Sequence, residues 1–348
     1  SNHIQMSYYF MFVILFFVGA YFEDAYRKKE LPHFFKASGV LALAAVVGVC
    51  INISNLYHTY EYSKETMRGK SELKQEGAAA SQTSSGLDRD YITNWSYGIG
   101  ETLTLLVPNV KGGGSGSTMS QSEVAMAKAN PMYNGIYSQL PQYFGEQPWT
   151  AGPVYVGAFV MFLFVLGCFI VKGPLKWALL GATIFSILLS WGKNFMGLTD
   201  FFIDYVPMYN KFRAVSSILV IAEFTIPLLA IFALKEILSK PDMLKQEKNC
   251  RGVIAALVLT AGVALILAVA PGTFFSSFIT TQEMTALKQA LPAEHLAPFV
   301  ANLTEMREAI IASDAWRSFF IIVIGCLFLF LYQLRKLKAS FTLAGIAL

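Results

Sequence analysis

Long apolar runs alternate with polar connections along most of this chain. An apolar stretch of about 20 residues is long enough to cross a bilayer as a helix. Seven complete runs come close to that length, at about 6–22, 37–57, 152–171, 175–191, 214–234, 252–271 and 316–334, and an eighth begins near 341. They are too uniformly apolar for an outer-membrane barrel, which is built from alternating strands of about ten residues. The pattern predicts an all-α polytopic membrane protein with about seven complete transmembrane helices and a truncated eighth.

The connections divide the predicted protein into three parts. Residues 1–57 hold two transmembrane helices, and residues 58–150 form an extracytoplasmic loop region. Residues 151–348 hold the remaining transmembrane helices, with extracytoplasmic loops at 193–213 and 272–315.

Parts of the loops have helical or linker patterns of their own. Residues 58–75 are charged and are predicted to continue the second helix, and the small-residue segment 77–86 is predicted to be a linker. In 272–315 apolar side chains recur at steps of four and three, which is one helical face; they are Leu296, Val300, Leu303, Met306 and Ile310. We expect this face to pack on the rest of the protein, and a partner-binding helix is the alternative.

The composition favours the same class of protein. Hydrophobic residues make up 55% of the chain, charged residues only 14%, and the mean hydropathy is +0.49. Soluble domains average nearer 25% charged residues. The net charge of +4 gives no indication of nucleic-acid binding, because in a membrane protein the placement of Lys and Arg matters more than their sum.

The placement of Lys and Arg predicts the orientation. One alternate set of connections (23–36, 172–176, 235–251 and 335–338) holds 14 Lys or Arg in 40 residues, whereas the other set (58–150, 193–213 and 272–315) holds 12 in 158. The dense set is expected to be cytoplasmic by the positive-inside rule. Residue 1 and the larger loops are therefore predicted to be extracytoplasmic.

Sequence motifs for cofactors or metals are absent. The four Cys form no CxxC pair and the four His are scattered, so no metal site is predicted. The Gly-rich segment KGGGSGS (111–117) lacks the GK[ST] of a phosphate loop, and we interpret it as a flexible turn.

The loop WGKNFMGLTDFFIDYVPMYNKFRAVSS (191–217) carries the most informative charges. Lys193, Lys211 and Arg213 flank apolar runs on the predicted outer side, where Lys and Arg are normally depleted. Asp200 and Asp204 could neutralise them. The alternative is an anion site, because Arg offers a fork of donors and Lys a point charge to a phosphate. A lipid-linked phosphate or pyrophosphate would present its anion at this depth.

Two carboxylates are further candidates. Glu223 lies within an apolar run, where an acid costs roughly 2.5–3.5 kcal/mol on insertion scales, and Pro227 is one turn further on. Glu223 could be a site residue or a proton carrier. Alternatively, it could be a structural partner for an Asn or Arg of another helix. Glu101 lies beside an apolar run that we expect to press into the membrane interface, where semi-burial would suit general-base work.

Three segments carry a family resemblance. WSYGIGETLTLLVPNVKG, YFGEQPWTAGPVYVG and SWGKNF…DYVPMYNKFRAVSS resemble the YfhO family of bacterial membrane proteins, across most of the chain. That family is similar to the GT-C superfamily of polytopic glycosyltransferases. The resemblance implies transfer of a sugar from a polyprenyl-phosphate donor to an extracytoplasmic acceptor, and a divalent metal in some branches. It also implies a catalytic acid in the first outer loop. We expect that loop upstream of residue 1, because we interpret the chain as a slice of a longer protein.

Three functions remain open from the sequence. In the glycosyltransferase, Lys193, Lys211 and Arg213 would bind the donor phosphate, the aromatic segment from Tyr143 to Trp149 would shape the sugar or acceptor site, and Glu101 is only a weak catalytic candidate. A transporter or lipid flippase would couple through Glu223. A non-catalytic scaffold for envelope assembly would use the outer loops for partners. The expected partners are a lipid-linked sugar donor and membrane lipids, with no nucleic acid.

Overall fold

The computed structural model describes residues 3–66, 87–240 and 242–347, and helices are the main secondary structure among them. Within those ranges the only β-structure is one isolated bridge, between Thr118 and Pro141. Five described helices are long and apolar enough to cross a membrane: Ile4–Lys28, Leu31–Ile51, Val215–Ser239, Glu247–Val269 and Ala293–Gln333. A sixth span results if the bent pair Pro174–Ser190 and Gly192–Tyr205 is counted as one. The all-helical, membrane-embedded class is therefore confirmed.

Three predicted spans differ from the structure by more than a shift of their ends. The run 37–57 is divided at Asn52 into Leu31–Ile51 and Ile53–Lys64, and the Asn52 amide donates back to the Gly48 carbonyl at 3.0 Å. Such side-chain bonds compete with the regular helical ladder.

The predicted span 152–171 is shorter than expected. Its helix, Ala158–Ile170, has only 13 residues. The helix begins late because Gly157, directly before it, has φ +99°, a backbone conformation that no helix contains.

The predicted span 316–334 and the loop helix before it are one continuous helix. Ala293–Gln333 has 41 residues, which corresponds to about 60 Å at 1.5 Å per residue. A hydrocarbon core is only about 30 Å thick, so this helix extends well beyond a membrane. A helix at Ala339–Ala347 follows it. The predicted helical segment 58–75 is helical as far as Lys64, and its last part and the linker 77–86 lie outside the described residues.

The chain forms two compact units, whose boundaries follow packing rather than membrane topology. The first contains residues 1–97 and 172–222, and the second contains 98–171 and 223–348. These bounds cut across the sequence-based division at 57 and 150.

In the first unit, Ile4–Lys28 packs along Pro174–Ser190. Rings of Phe12, Phe185 and Phe202 pack there with centroids 5.2–6.0 Å apart, a favourable aromatic geometry. No residue of Leu31–Ile51 is buried. That helix exposes apolar side chains on every side, as a helix facing lipid does.

In the second unit, the helices Glu247–Val269, Ala293–Gln333 and Ala158–Ile170 pack together. Glycines lie at the close contacts, with Gly325 against the Phe159 ring, as is common between membrane helices. A separate core lies around the first half of Ala293–Gln333. It buries Leu303, Met306 and Ile310 and partly buries Leu296 and Val300, so the predicted packed face is confirmed.

Candidate functional site

In the first unit, residues 87–97 run alongside the segment 190–216. Three backbone hydrogen bonds join them: Leu87 N–H to Asn210 O at 3.0 Å, Tyr97 N–H to Ser190 O at 2.9 Å, and Ser216 N–H to Trp95 O at 3.1 Å. The predicted cationic loop is therefore held in place by a segment about 100 residues earlier in the chain.

The loop begins at a tight turn at Gly192. The helix Pro174–Ser190 ends there and Met196–Tyr205 leaves at an angle, the two pieces being bent by 107°. Gly192 has φ +46°, and a Cβ at this position would collide with the Ser96 side chain. Ser96 itself accepts the Lys193 N–H at 2.8 Å and donates to the Thr93 carbonyl at 2.6 Å. Glycine is required here for both conformation and space.

Asp200 and Asp204 both pair with a residue outside their own loop. Both carboxylates are bound by Arg89, which donates to Asp200 through Nη1 and to Asp204 through Nη2, the latter at 2.5 Å. The two acids are four residues apart in Met196–Tyr205, so they lie on one helical face. A single planar guanidinium can bridge them, because its donors form a fork.

Arg213 is oriented by aromatic side chains instead of by an acid. Its Nη1 donates to the Tyr91 hydroxyl at 2.7 Å, and its guanidinium carbon lies 5.8 Å from the ring centroids of both Tyr91 and Trp95. The side chain is exposed. Among the residues that the structure describes, no carboxylate lies within ion-pair distance of Arg213. The guanidinium is therefore fixed in direction but retains most of its donors for another acceptor.

The two predicted lysines are on the same segment but in different surroundings. Lys193 is exposed in the turn after Gly192, and Lys211 is half-buried just before Arg213. Loss of solvent lowers the pKa of Lys211, because burial disfavours the charged amine.

The Glu101 carboxylate is enclosed in the second unit, which differs from the half-buried interfacial position expected. It is 2% exposed. Its Oε2 accepts the Gly98 N–H at 2.7 Å and the Glu146 N–H at 3.3 Å, and its Oε1 accepts the Tyr143 hydroxyl at 2.6 Å. Three donors use much of the carboxylate's capacity and hold the loops around 98 and 145 together. These contacts favour a structural role, and the catalytic role remains a prediction.

Two cations of the second unit were missed by the sequence reasoning. Lys111 lies 4.3 Å from the ring centroid of Phe275 and 4.9 Å from that of Phe144, and desolvation lowers its pKa. Arg307 is fully buried and lies 4.9 Å from the Phe144 centroid. Both its terminal nitrogens donate to Glu283, at 2.7 and 2.8 Å. No sequence spacing joins these residues, so no local signal predicts them.

Glu223 is exposed on the apolar helix Val215–Ser239. In the described part of the chain no side chain hydrogen-bonds or ion-pairs with it, so the Asn or Arg partner considered from the sequence is not observed. Pro227 has no N–H to offer the carbonyl of Glu223. An acid at membrane depth needs polar surroundings, so water, lipid headgroups or another molecule must meet it.

No residue set suited to a metal is found in the part of the chain that the structure describes, where no three His, Cys, Asp or Glu side chains cluster. The divalent metal that the family resemblance allows in some branches therefore has no fitting site among these residues.

Comparison of the chain with protein-family models, curated proteins and solved structures found no match in any of the three. The candidate site has to be interpreted from its own geometry.

Proposed function

We propose that this protein is a GT-C-like glycosyltransferase of the YfhO family, which takes a sugar from a polyprenyl-phosphate donor and transfers it to an extracytoplasmic acceptor. It lies in a bacterial inner membrane with residue 1 and the segment 193–213 on the outer side, and its apolar runs form about seven complete transmembrane helices. The observation that supports the proposal most is Arg213, an exposed, oriented guanidinium without an acidic partner among the described residues.

Arg213 has the depth and the donors that a lipid phosphate needs. It lies two residues before the apolar helix Val215–Ser239, and this position supports a location at the level of lipid headgroups. Tyr91 and Trp95 hold it there, as aromatic side chains do in the interfacial belt of membrane proteins. The remaining N–H groups can bind phosphate oxygens in the two-point manner that Lys cannot reproduce.

The pairing of Arg89 with Asp200 and Asp204 supports the same function. These acids would otherwise repel a phosphate, and Arg89, which lies outside the cationic loop, offsets one of their two negative charges. Lys193 and Lys211 then add positive potential, which attracts an anion from a distance.

The proposal is tested first by binding, because binding needs no knowledge of the sugar or the acceptor. Purified protein is titrated with a polyprenyl phosphate in detergent micelles. Charge-assisted hydrogen bonds contribute about 1.5–3 kcal/mol, so Arg213→Ala should weaken binding by about 10- to 100-fold. Arg213→Lys should recover only part of the affinity.

The matched control is Arg251→Ala, which removes an exposed arginine that pairs with Glu247 in another unit of the chain. This variant should bind within about twofold of the wild type. Turnover of a polyprenyl-phosphate sugar should fall with the affinity in Arg213→Ala. If Arg213→Ala leaves both affinity and turnover unchanged, the assigned role of Arg213 is wrong.

Glu223 favours a second candidate function, a transporter or lipid flippase. Its exposed carboxyl on an apolar helix would serve as the coupling site beside the carbonyl that Pro227 leaves unbonded. This function predicts that ion-dependent uptake into proteoliposomes is lost in Glu223→Gln. Uptake that does not differ between Glu223→Gln and wild type would reject it.

A further inference from the structure

A cavity of about 310 Å³ lies in the second unit between three helices, at the end of Ala293–Gln333. Its buried walls are Phe162, Leu166 and Leu329. Lys245 and Gln333 line the same cavity. The volume is at the lower end of the range for small-molecule sites, and such sites combine apolar walls with a few polar groups in this way.

The cavity has an apolar end and a polar end. Cys326 and Gln333 both line it, and they are seven residues apart on one helix, which corresponds to about 10 Å. Phe162 and Leu166 lie within the apolar helix Ala158–Ile170, whereas Gln333 and Lys245 lie at helix termini. This polarity matches an amphiphile, with a hydrocarbon chain along the helix and a head at Gln333.

Gln333 gives the strongest indication of a ligand. Its side chain is 6% exposed, and neither its Nε2 nor its Oε1 has a hydrogen-bond partner in the described part of the chain. Buried polar atoms are normally satisfied, and an orphan amide needs a specific explanation. An occupant that satisfies both atoms must donate one hydrogen bond and accept another, which a hydroxyl does and an ester carbonyl does not.

Positive charge lies at and beside the cavity, since Lys245 lines it and Arg335 directly follows the lining residue Leu334. Asp242 accepts from Lys245 at 2.6 Å and from Arg335 at 3.1 Å, so two cations share one carboxylate. Both cations belong to the Lys- and Arg-dense connections 235–251 and 335–338. Such segments attract anionic lipids at a membrane surface.

We propose that this cavity binds one hydrocarbon chain of an anionic membrane lipid, with a hydroxyl of the lipid head hydrogen-bonded to Gln333. The chain lies along Phe162, Leu166 and Leu329, and the charged head meets the rim at Lys245 and Arg335. This site is independent of the phosphate site proposed at Arg213, and it does not require the protein to be an enzyme.

The test compares three lipids, so that the effect of the headgroup charge is measured separately from the effect of the headgroup hydroxyl. The full chain is reconstituted in nanodiscs, and the lipids retained after extraction are counted by native mass spectrometry. Phosphatidylglycerol has an anionic head with hydroxyls, phosphatidylmethanol has the same charge without a hydroxyl, and phosphatidylcholine has no net charge. We expect phosphatidylglycerol to be retained about threefold over phosphatidylmethanol, and phosphatidylmethanol about threefold over phosphatidylcholine. Equal retention of the first two would overturn the proposal without any variant.

Gln333→Leu is the corresponding variant, and it should reduce the ratio of phosphatidylglycerol to phosphatidylmethanol to about one. Gln289→Leu is the matched control, since Gln289 is exposed and does not line the cavity, and it should keep the wild-type ratio. A wild-type ratio in Gln333→Leu would show that the amide serves only the structure, and it would overturn the proposal.

Thiol labelling locates the bound lipid. Cys250 lines the cavity and is exposed, whereas Cys50 is exposed but does not line it. Phosphatidylglycerol should slow maleimide labelling of Cys250 at least threefold relative to phosphatidylcholine and leave Cys50 unchanged. Equal slowing at both cysteines, or at neither, would overturn the assignment to this cavity.

Discussion

Replacing Glu283 with Ala should destabilise the protein strongly, because Glu283 compensates the buried charge of Arg307. The Arg307 side chain is fully buried and that of Glu283 is 13% exposed. Two hydrogen bonds of 2.7 and 2.8 Å join them. After Glu283→Ala, Arg307 keeps only the carbonyls of Phe278 and Pro141, at 2.7 and 3.2 Å, and the Phe144 ring.

The magnitude follows from the burial. Carbonyl oxygens satisfy donors but do not cancel a charge, and removal of one partner from a buried ion pair typically costs about 3–5 kcal/mol. We therefore expect Glu283→Ala to lower the free energy of unfolding by that amount. The double variant Glu283→Leu/Arg307→Met should recover most of the loss, because it removes both charges and retains apolar volume.

The measurement is unfolding of the purified protein in detergent, with Glu305→Ala as the control. Glu305 pairs with Lys128 at 3.4 Å, and both side chains are more than half exposed, so its loss should cost less than about 1 kcal/mol. If Glu283→Ala and Glu305→Ala differ by less than about 1 kcal/mol, the reasoning about the buried charge is refuted.

Three further predictions concern the two units. Gly192→Ala should lower the unfolding midpoint, because the positive φ and the lack of space for a Cβ cost about 1–3 kcal/mol. The control Gly197→Ala should not lower it, since the space around Gly197 is open. Equal midpoints for the two variants would contradict the expectation. Burial lowers the pKa of Lys111 in the folded protein. Between that pKa and about 10.4 the unfolded chain therefore binds more protons than the folded protein, and the free energy of unfolding should rise with pH. Unfolding measured over a pH series should show this rise in the wild type and not in Lys111→Met, and a rise that persists in the variant would contradict the prediction. Tyr91→Phe keeps the ring near Arg213 but removes the 2.7 Å hydrogen bond. Polyprenyl phosphate should therefore bind this variant about two- to tenfold more weakly than the wild type. Unchanged affinity would mean that the hydroxyl does not orient the guanidinium.

The helical class and one packed face were predictable because both depend on local patterns. Apolar runs of membrane-spanning length set the class, and the spacing of Leu303, Met306 and Ile310 set the face. The continuity of Ala293–Gln333 was not predictable from hydropathy. Asp314 and Arg317 lie at the start of the apolar run 316–334, but they do not interrupt the helix, in which they form an ion pair one turn apart.

The contacts of the candidate sites were largely unpredictable, because they join distant segments. Arg307 meets Glu283 across 24 positions, and Tyr143 meets Glu101 across 42. Pattern reasoning singled out Glu101 because it is an acid beside an apolar run. It could not show that three donors enclose the carboxylate, because those donors come from the fold.

The charge balance of the loop 191–217 shows why contacts between distant segments matter for function. Along the sequence, Asp200 and Asp204 are the nearest acids to Lys193, Lys211 and Arg213, and local counting makes the loop nearly neutral. In the fold, Arg89 is brought from 111 and 115 positions away and binds both acids. These pairs are half-exposed, so they contribute little to stability, but Arg89 offsets one of the two negative charges. The Arg213 guanidinium contacts the aromatic side chains of Tyr91 and Trp95. A residue outside the loop therefore makes the surroundings of the loop more positive than its own composition suggests, which supports the proposed anion site.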